Sequence, residues 1–191
     1  ILARKIQDGR LLELIRRSLK AGVMEGWTYH QTYSGTPQGG VLSPILSNIY
    51  LHELDTFVED VLIPQYTRGK DRKDNREYRN VQCRMLYARK QGRDEQAQKL
   101  QQQLQQMPSK DTKDPNFRRL KYIRYADDFI LGFVGPKSEA EEIRNELGLF
   151  LQDALNLEMN ESKTFITHAR TQQAQFLGYA ISVQHANDKV T

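Results

Sequence analysis

The first part of the chain shows helical spacing of its apolar residues. Apolar positions between Leu11 and Leu19 recur every three or four residues, which predicts an amphipathic helix from Asp8 to about Ala21. The Asp8 side chain can accept hydrogen bonds from the first backbone N–H groups, and Gly22 can end the helix. The pattern therefore predicts one capped helix before residue 23.

A strand and a second helix are predicted next, joined by an irregular loop. Residues 27–33 are rich in aromatic and β-branched side chains, as strands are. Residues 34–40 contain too much Gly and Pro for regular structure. Pro44 suits the first turn of a helix, and apolar positions at helical spacing continue that helix to Pro64.

The middle of the chain has a thinner apolar stripe. Helical spacing over residues 76–107 predicts one long helix or a helical hairpin that bends near Gly92. Seven glutamines lie within residues 96–106, and few apolar positions accompany them. Because such a stripe cannot bury a helix deeply, we expect residues 66–118 to form a mostly helical insertion that projects from the core.

Strand-like runs dominate the last third. Residues 119–126 and 129–134 are two such runs, and the two residues between them give the spacing of a β-hairpin. Two more strands are predicted at residues 163–168 and 175–183. Between the two pairs, apolar residues at helical spacing predict a helix over residues 140–155.

The start of that last helix carries a capping signal, and the order of all the elements predicts the fold class. Ser138 and Glu141 have the spacing of a capping box. Helices precede and interrupt a set of strands joined by short connections, so we predict an α+β fold with helices packed on one face of an antiparallel sheet. We divide the chain into residues 1–65, the insertion 66–118 and residues 119–191.

Charge changes this picture, because it is concentrated in the insertion. The net charge is only +4, yet residues 66–124 carry 17 basic and 7 acidic side chains, a net of +10. Such a concentration indicates a polyanionic partner. A solvated helical face has the same composition and is the alternative.

Composition excludes several other classes. Cys83 is the single cysteine, so a disulfide framework is excluded, and the four histidines share no metal-ligand spacing that would indicate zinc. The chain does not start like a signal peptide, and no apolar run reaches the roughly 20 residues that span a bilayer. We therefore expect no membrane association and a cytoplasmic protein.

Two adjacent carboxylates, Asp127 and Asp128, stand between the strands of the predicted hairpin. Asp is uncommon in strands. At a two-residue turn, Asn-Gly or Asp-Gly is favoured over two adjacent aspartates, whose charges repel each other. A divalent cation relieves this repulsion, and Mg²⁺ prefers carboxylate oxygens, water and phosphate. The alternative is an ordinary turn in which Asp bonds its own backbone.

The residues around this pair carry a family resemblance. Tyr125-Ala126-Asp127-Asp128 resembles the YxDD box of reverse transcriptases. Residues 35–44 resemble the motif B loop, and their continuation to Asp55 looks like the group II intron-encoded enzymes, often called maturases. Residues 157–164 are similar to motif D and Phe176-Leu177-Gly178-Tyr179 to the primer grip, motif E. Four motifs in the family's order make the resemblance specific.

The resemblance implies a reverse transcriptase palm with a ferredoxin-like core and an RNA-directed DNA polymerase that uses two Mg²⁺ ions, with Mn²⁺ as a substitute. Asp127 would bind both metals, Asp128 would support them, and Lys163 would protonate or neutralise the departing pyrophosphate. The implied contacts to template and incoming nucleotide are Pro37, Gln38, Gly39, Gly40, Tyr125 and Ala126. The implied primer grip is Phe176, Leu177, Gly178 and Tyr179.

Each of these residues also has a structural interpretation. The glycine-rich loop is an ordinary connector before a helix, Lys163 is a solvated lysine, and Phe176 and Leu177 are core residues of a strand. The family also has a third carboxylate, from motif A on a strand upstream of the first helix. Asp8 is interpreted as a helix cap, so we expect a partial palm without the motif A aspartate and inactive by itself.

The implied partners are an RNA template, a DNA primer, dNTPs and the group II intron RNA, in a bacterial ribonucleoprotein. The predicted RNA-binding residues are Arg68, Lys70, Arg72, Lys73, Arg76, Arg79, Arg84, Arg89 and Lys90. Two alternatives stay open. One is a splicing cofactor with an unused polymerase site, and the other is a retron, diversity-generating or CRISPR-associated reverse transcriptase.

Overall fold

The computed structural model describes residues 1–25, 27–30 and 42–183, so the predicted glycine-rich loop lies outside the described residues. After a 3₁₀ turn at Leu2–Arg4, the elements are α1 (Gly9–Lys20), β1 (Val23–Glu25), β2 (Thr28–His30), α2 (Ser43–Phe57), a π-helical turn (Val58–Leu62), α3 (Ile63–Gln65), α4 (Arg76–Lys90), α5 (Asp94–Gln105), β3 (Arg119–Tyr125), β4 (Asp128–Val134), α6 (Lys137–Leu155), β5 (Ala174–Phe176) and β6 (Tyr179–Ile181).

The predicted first helix is confirmed together with its cap. The Asp8 carboxylate accepts hydrogen bonds from the backbone N–H groups of Arg10 and Leu11 at 2.8 and 3.3 Å. Gly22 has a φ of 69° just beyond the helix, where a side chain would be strained. The strand predicted over residues 27–33 is confirmed for Thr28–His30, and its last three residues lie outside the described part.

The second predicted helix is confirmed, and it consists of three consecutive helical segments. Helix α2 carries Pro44 in its first turn and passes through the π-helical turn into α3 without a break. Leu54, Val58 and Leu62 lie at four-residue intervals and are almost fully buried, so they form one stripe along this composite helix.

One core joins this stripe to the β3–β4 hairpin and to α6. Strands β3 and β4 pair antiparallel from Arg119↔Val134 to Tyr125↔Asp128. Leu120 of β3 is 0% exposed and packs with the buried stripe of α6, whose members are Ile143, Leu147, Leu151 and Leu155. The helix predicted over residues 140–155 is therefore confirmed.

The Leu120 side chain gives a stability prediction. Replacing Leu120 by alanine should lower the free energy of unfolding by about 2–5 kcal/mol, because a fully buried leucine loses its transfer energy and leaves a cavity. Urea unfolding followed by circular dichroism measures the change. Ile123→Ala, on the exposed side of the same strand, is the control and should change stability much less.

The insertion is a helical hairpin with a core of its own. Helices α4 and α5 flank Gly92, which has a φ of 68°, so the predicted bend is confirmed. Val81, Met85 and Ala88 pack against Ala97, Leu100 and Leu104. Because each thin stripe covers the other, the hairpin buries its apolar residues without help from the main core.

The base of the insertion is fixed by backbone pairing. Arg68 and Arg118 exchange backbone hydrogen bonds of 3.1 and 3.0 Å. The buried Asp114 carboxylate accepts from the backbone N–H groups of Lys73 and Asn116, both at 2.9 Å. These bonds hold the pKa of Asp114 below its usual value. The division of the chain at residues 65 and 118 stays a prediction.

Three local predictions are wrong. The Ser138–Glu141 capping box does not form, because α6 begins at Lys137 after Pro136 and its first turn has no side-chain cap. Residues 163–168 form no strand, and the segment instead begins in a turn in which the backbone N–H groups of Lys163 and Thr164 donate to the carbonyls of Asn160 and Glu161. The strand predicted over residues 175–183 is instead the hairpin β5–β6.

The overall class is a mixture of helices and small antiparallel sheets, as predicted in its coarser form. The described residues contain three two-stranded sheets, β1–β2, β3–β4 and β5–β6. Helical side chains cover one face of the β3–β4 hairpin. Within the ranges given above, no helix is long and apolar enough to cross a membrane.

Candidate active site

The two aspartates lie at the tip of the β3–β4 hairpin, and the turn begins one residue earlier than predicted. Tyr125 and Asp128 form the last strand pair, so the two-residue turn is Ala126-Asp127 and not Asp127-Asp128. Ala126 has a φ of 53°, a left-handed conformation that costs a residue with a side chain about 1–2 kcal/mol. A positive φ at the first turn position but not at the second, Asp127, is the feature of a type II′ turn.

The register also decides which face of the hairpin each residue occupies. Leu120, Tyr122 and Arg124 alternate on the face toward the helices, where they are buried or half-buried. Directly paired residues share a face, so Asp128 lies with Tyr125 on the opposite, open face. Asp127 and Asp128 are both exposed. The tip therefore presents two carboxylates to solvent.

An arginine beneath the tip connects it to helix α2. The Arg124 guanidinium makes a bidentate ion pair with Asp55, with Nε–Oδ1 and Nη2–Oδ2 distances of 2.7 and 2.6 Å. Its remaining Nη1 donates to the Asn48 side-chain oxygen at 3.0 Å and to the Ala126 carbonyl at 2.6 Å. The Tyr122 hydroxyl donates to Asp55 at 2.9 Å.

This network has electrostatic consequences for its members. The hydrogen bonds from Arg124 hold the pKa of the Asp55 carboxyl below its usual value, against an opposing effect of burial. The same pairing raises the pKa of Arg124. Burial, and then the neighbouring Asp55 carboxylate, raise the pKa of Tyr122. Asp55 is therefore charged, and Tyr122 is a neutral donor, at neutral pH.

A pH dependence of stability follows from Asp55. The folded-state pKa of Asp55 lies below its ordinary value, so its contribution to the free energy of unfolding is complete above that ordinary value and disappears as the pH falls through the folded-state pKa. At pH 7 we expect the free energy of unfolding of wild type to be about 1–3 kcal/mol larger than that of Asp55→Asn. This difference should shrink below about pH 4. Urea unfolding at a series of pH values measures it, and a difference that grows on acidification would contradict the assignment.

The residues at the tip fit a hard divalent cation in part. Asp127 and Asp128 supply carboxylate oxygens, which Mg²⁺ prefers, and their exposure leaves room for water and phosphate ligands. No group of three or more metal-ligating side chains occurs among the residues that the structure describes. The carboxylate of motif A stays an expectation from the family resemblance.

The other predicted site residues have fewer described contacts with the β3–β4 hairpin. Strand β5 contacts β4, so the β5–β6 hairpin lies beside the strand that carries Asp128. Leu177 and Gly178 form its turn, with φ values of 52° and 79°, while Phe176 is half-buried and Tyr179 exposed. Lys163 is exposed in the turn after Asn160, and its side chain makes no ion pair with a described residue. Pro37, Gln38, Gly39 and Gly40 lie outside the described residues.

The predicted RNA-binding residues lie on and beneath the helical hairpin. Arg76, Arg79 and Lys90 project from the side of α4 away from its buried stripe, with the exposed Tyr87 among them, and Arg84 is exposed on one flank of that stripe. Arg89 is on the flank and donates to Gln101 of α5 at 2.7 Å.

At the base, Lys70 and Lys73 are exposed, and Arg68 lies 3.5 Å from Glu139. Arg72 sits 5.2 Å from the centre of the Phe117 ring. The surface of α4 therefore combines positive charge with an exposed aromatic ring, although Arg79 lies 3.7 Å from Asp74. At the base, Arg68 and Arg72 already have partners within the chain.

Sequence reasoning did not identify the Asp55–Arg124 network. The two residues stand 69 positions apart, and nothing in one sequence pairs them. One signal was present: Asp55 stands between Leu54 and Val58 of the apolar stripe, where an unpaired carboxylate would be unfavourable.

Comparison with known proteins agrees with the motifs. Residues 94–181 match the family described as reverse transcriptase (RNA-dependent DNA polymerase). The chain is 41% identical over 189 residues to the group II intron-encoded protein LtrA of Lactococcus lactis, which covers 95% of this chain and 31% of that protein.

Two eukaryotic proteins are also similar. A COX1/OXI3 intron 1 protein of Saccharomyces cerevisiae is 40% identical over 95% of the chain and 21% of its own length. The nuclear intron maturase 1 of Arabidopsis thaliana is 29% identical over 74% of the chain and 17% of its own length. The chain thus spans about a third or less of these relatives, and over that span its motifs and its sequence are similar to those of reverse transcriptases encoded by group II introns.

Proposed function

We propose that the protein carrying this chain is an RNA-directed DNA polymerase of the group II intron type. The observation that carries the proposal is the tip of the β3–β4 hairpin, where Asp127 and Asp128 are exposed in the sequence Tyr125-Ala126-Asp127-Asp128. The relatives named for group II introns and the matching reverse transcriptase family support it. The same arguments favour this branch over the other bacterial reverse transcriptases.

In the proposed reaction, the primer 3′-hydroxyl attacks the α-phosphate of a deoxynucleotide and pyrophosphate leaves. Mg²⁺, with Mn²⁺ as a substitute, would supply activation of the attacking oxygen and charge stabilisation of the leaving group when bound. Asp127, in the turn, and Asp128, at the start of β4, would hold it. The small Ala126 side chain would leave room for the primer end beside the turn.

Other segments would bind the substrates. The loop containing Gln38 and Gly39 would contact the templating base and the incoming dNTP, and Phe176 to Tyr179 would hold the primer strand. Lys163 would neutralise the departing pyrophosphate. We also propose that the complete palm has a ferredoxin-like core, in which the carboxylate of motif A joins Asp127 and Asp128.

A second activity is proposed for the basic helical hairpin. Exposed arginines on α4 would neutralise RNA phosphates, and Tyr87 would stack on an unpaired base. The intron maturase among the relatives supports intron RNA as the partner, so the protein would also assist splicing. The setting we propose is a bacterial cytoplasmic ribonucleoprotein. This RNA-binding role could exist with or without a used polymerase site.

Primer extension by the full-length protein tests the polymerase proposal. A labelled DNA primer annealed to an RNA template should gain deoxynucleotides complementary to the template, in a reaction that requires Mg²⁺. Omitting the next complementary dNTP should stop extension at that position. RNA binding without any extension would overturn the polymerase proposal in favour of the splicing cofactor.

A further inference from the structure

We propose that Arg124 is a positioning residue that sets the aspartate-bearing turn relative to helix α2, an inference that rests on the proposed polymerase function. Its guanidinium holds Asp55 and Asn48 of α2 and, with the same Nη1 that reaches Asn48, the carbonyl of Ala126 in the turn. Arg124 does not touch the reacting atoms. It acts through the residue directly before Asp127.

The geometry of the turn gives this contact its importance. Ala126 adopts a positive φ that a residue with a side chain rarely holds without support. Its carbonyl accepts a hydrogen bond of 2.6 Å from a charged donor, which is among the stronger kinds of hydrogen bond. The donor is itself fixed, because four of its contacts to neighbouring oxygens lie between 2.6 and 3.0 Å.

The anchor on the other side is a helix with a defined place in the fold. Asp55 directly follows Leu54, a residue of the main core that is only 1% exposed. The Asp55 carboxylate also accepts a hydrogen bond from the Tyr122 hydroxyl. The Arg124 and Asp55 side chains are 11% and 19% exposed, so water competes little for the pair. The start of α2 directly follows the loop proposed to bind template and nucleotide. Arg124 therefore links the aspartate-bearing turn to the helix that follows the proposed template-binding loop in sequence.

Lysine cannot replace arginine in this role. The planar guanidinium donates in three directions at once, to a carboxylate, an amide oxygen and a backbone carbonyl. A lysine ammonium keeps the charge and satisfies Asp55, but it has no rigid fork to reach the Ala126 carbonyl as well. Arg124→Lys therefore removes positioning while preserving charge.

The chain contains a matched control at the other end of the same hairpin. Arg118 and Glu139 form a bidentate ion pair with distances of 2.6 and 3.0 Å and exposures of 12% and 22%. This pair is similar in geometry and burial to Arg124–Asp55 but lies at the end of β3 away from the aspartates. Arg118→Lys should thus reproduce any general loss of stability without moving the turn.

The test is single-nucleotide primer extension by the full-length protein and its variants at saturating primer–template. We expect Arg124→Lys to lower kcat by up to about 100-fold with the KM for dNTP near the wild-type value, since small misplacement of reacting groups has effects of this order. Asp55→Asn and Asn48→Ala should lower kcat in the same direction, with the smallest effect from the exposed Asn48. Arg118→Lys should retain a wild-type kcat.

Hydrogen exchange of the amides at residues 126–128 gives a second readout that needs no activity. Exchange should speed up in Arg124→Lys and not in Arg118→Lys. The inference is overturned if folded Arg124→Lys keeps a wild-type kcat, or if Arg118→Lys loses as much. If Arg124→Lys does not fold, Asn48→Ala and Asp55→Asn decide by the same criteria. If the wild-type protein does not extend primers, the proposed polymerase function is contradicted. The hydrogen-exchange result would still decide whether Arg124 holds the turn.

Discussion

Replacing Asp127 by alanine should abolish primer extension by the full-length protein while leaving RNA binding close to that of wild type. The proposed site assigns Asp127 the direct contact with the metal ions. Loss of several kcal/mol of transition-state stabilisation corresponds to a rate decrease of about a thousandfold or more. Extension of a labelled primer under single-turnover conditions measures the rate, and filter binding of the RNA measures affinity.

Two further variants sharpen this experiment. Asp128→Ala should lower the rate in the same direction, because Asp128 lies on the open face beside the turn. Asp153→Ala removes an exposed carboxylate on helix α6 and should extend primers like wild type. Extension by Asp127→Ala at a rate similar to that of Asp153→Ala would show that the tip of the hairpin is not the catalytic metal site.

Replacing Arg76, Arg79, Arg84 and Arg89 together by alanine should weaken RNA binding and make it less sensitive to salt. Each phosphate contact contributes about 0.7 to the slope of log affinity against log salt for a single strand, so loss of four contacts should lower the slope by up to about 3. Because Arg89 already donates to Gln101, it should contribute least. Affinity measured over a series of salt concentrations gives the slope.

The control for this surface is a pair of arginines on another exposed helix. Arg16 and Arg17 of α1 are exposed and pair with Glu13 at 3.3 and 3.1 Å. Arg16→Ala with Arg17→Ala should leave the slope near wild type. An unchanged slope in the α4 variant would return the insertion to a solvated helical face, the alternative that composition alone leaves open.

Short-range features of the structure were predictable from sequence because their causes are local. The Asp8 cap, the bend at Gly92 and the apolar stripe of α6 each depend on residues within a few positions of one another. The YxDD box identified the hairpin tip for the same reason. Its four residues are contiguous, and strand-like runs flank them.

Features that depend on distant contacts were not predictable. The turn is Ala126-Asp127 because Tyr125 pairs with Asp128, and Arg124 supports that register through its ion pair with Asp55, which lies 69 residues earlier on helix α2. Leu177 gives no sign in sequence of the left-handed conformation it adopts in the β5–β6 turn. The capping box predicted at Ser138 does not form, because α6 begins one residue earlier and Glu141 pairs with Lys137 at 3.4 Å.

Iron-directed cleavage tests the proposed metal site most directly. Fe²⁺ bound in place of Mg²⁺ to the full-length protein on a primer–template generates hydroxyl radicals that cut the chain nearby, and mass spectrometry locates the cuts. We predict cleavage around Tyr125 to Asp128 that Mg²⁺ competes away and that Asp127→Ala eliminates. Cleavage confined to other segments, or unchanged in Asp127→Ala, would contradict a metal site at the tip of the β3–β4 hairpin.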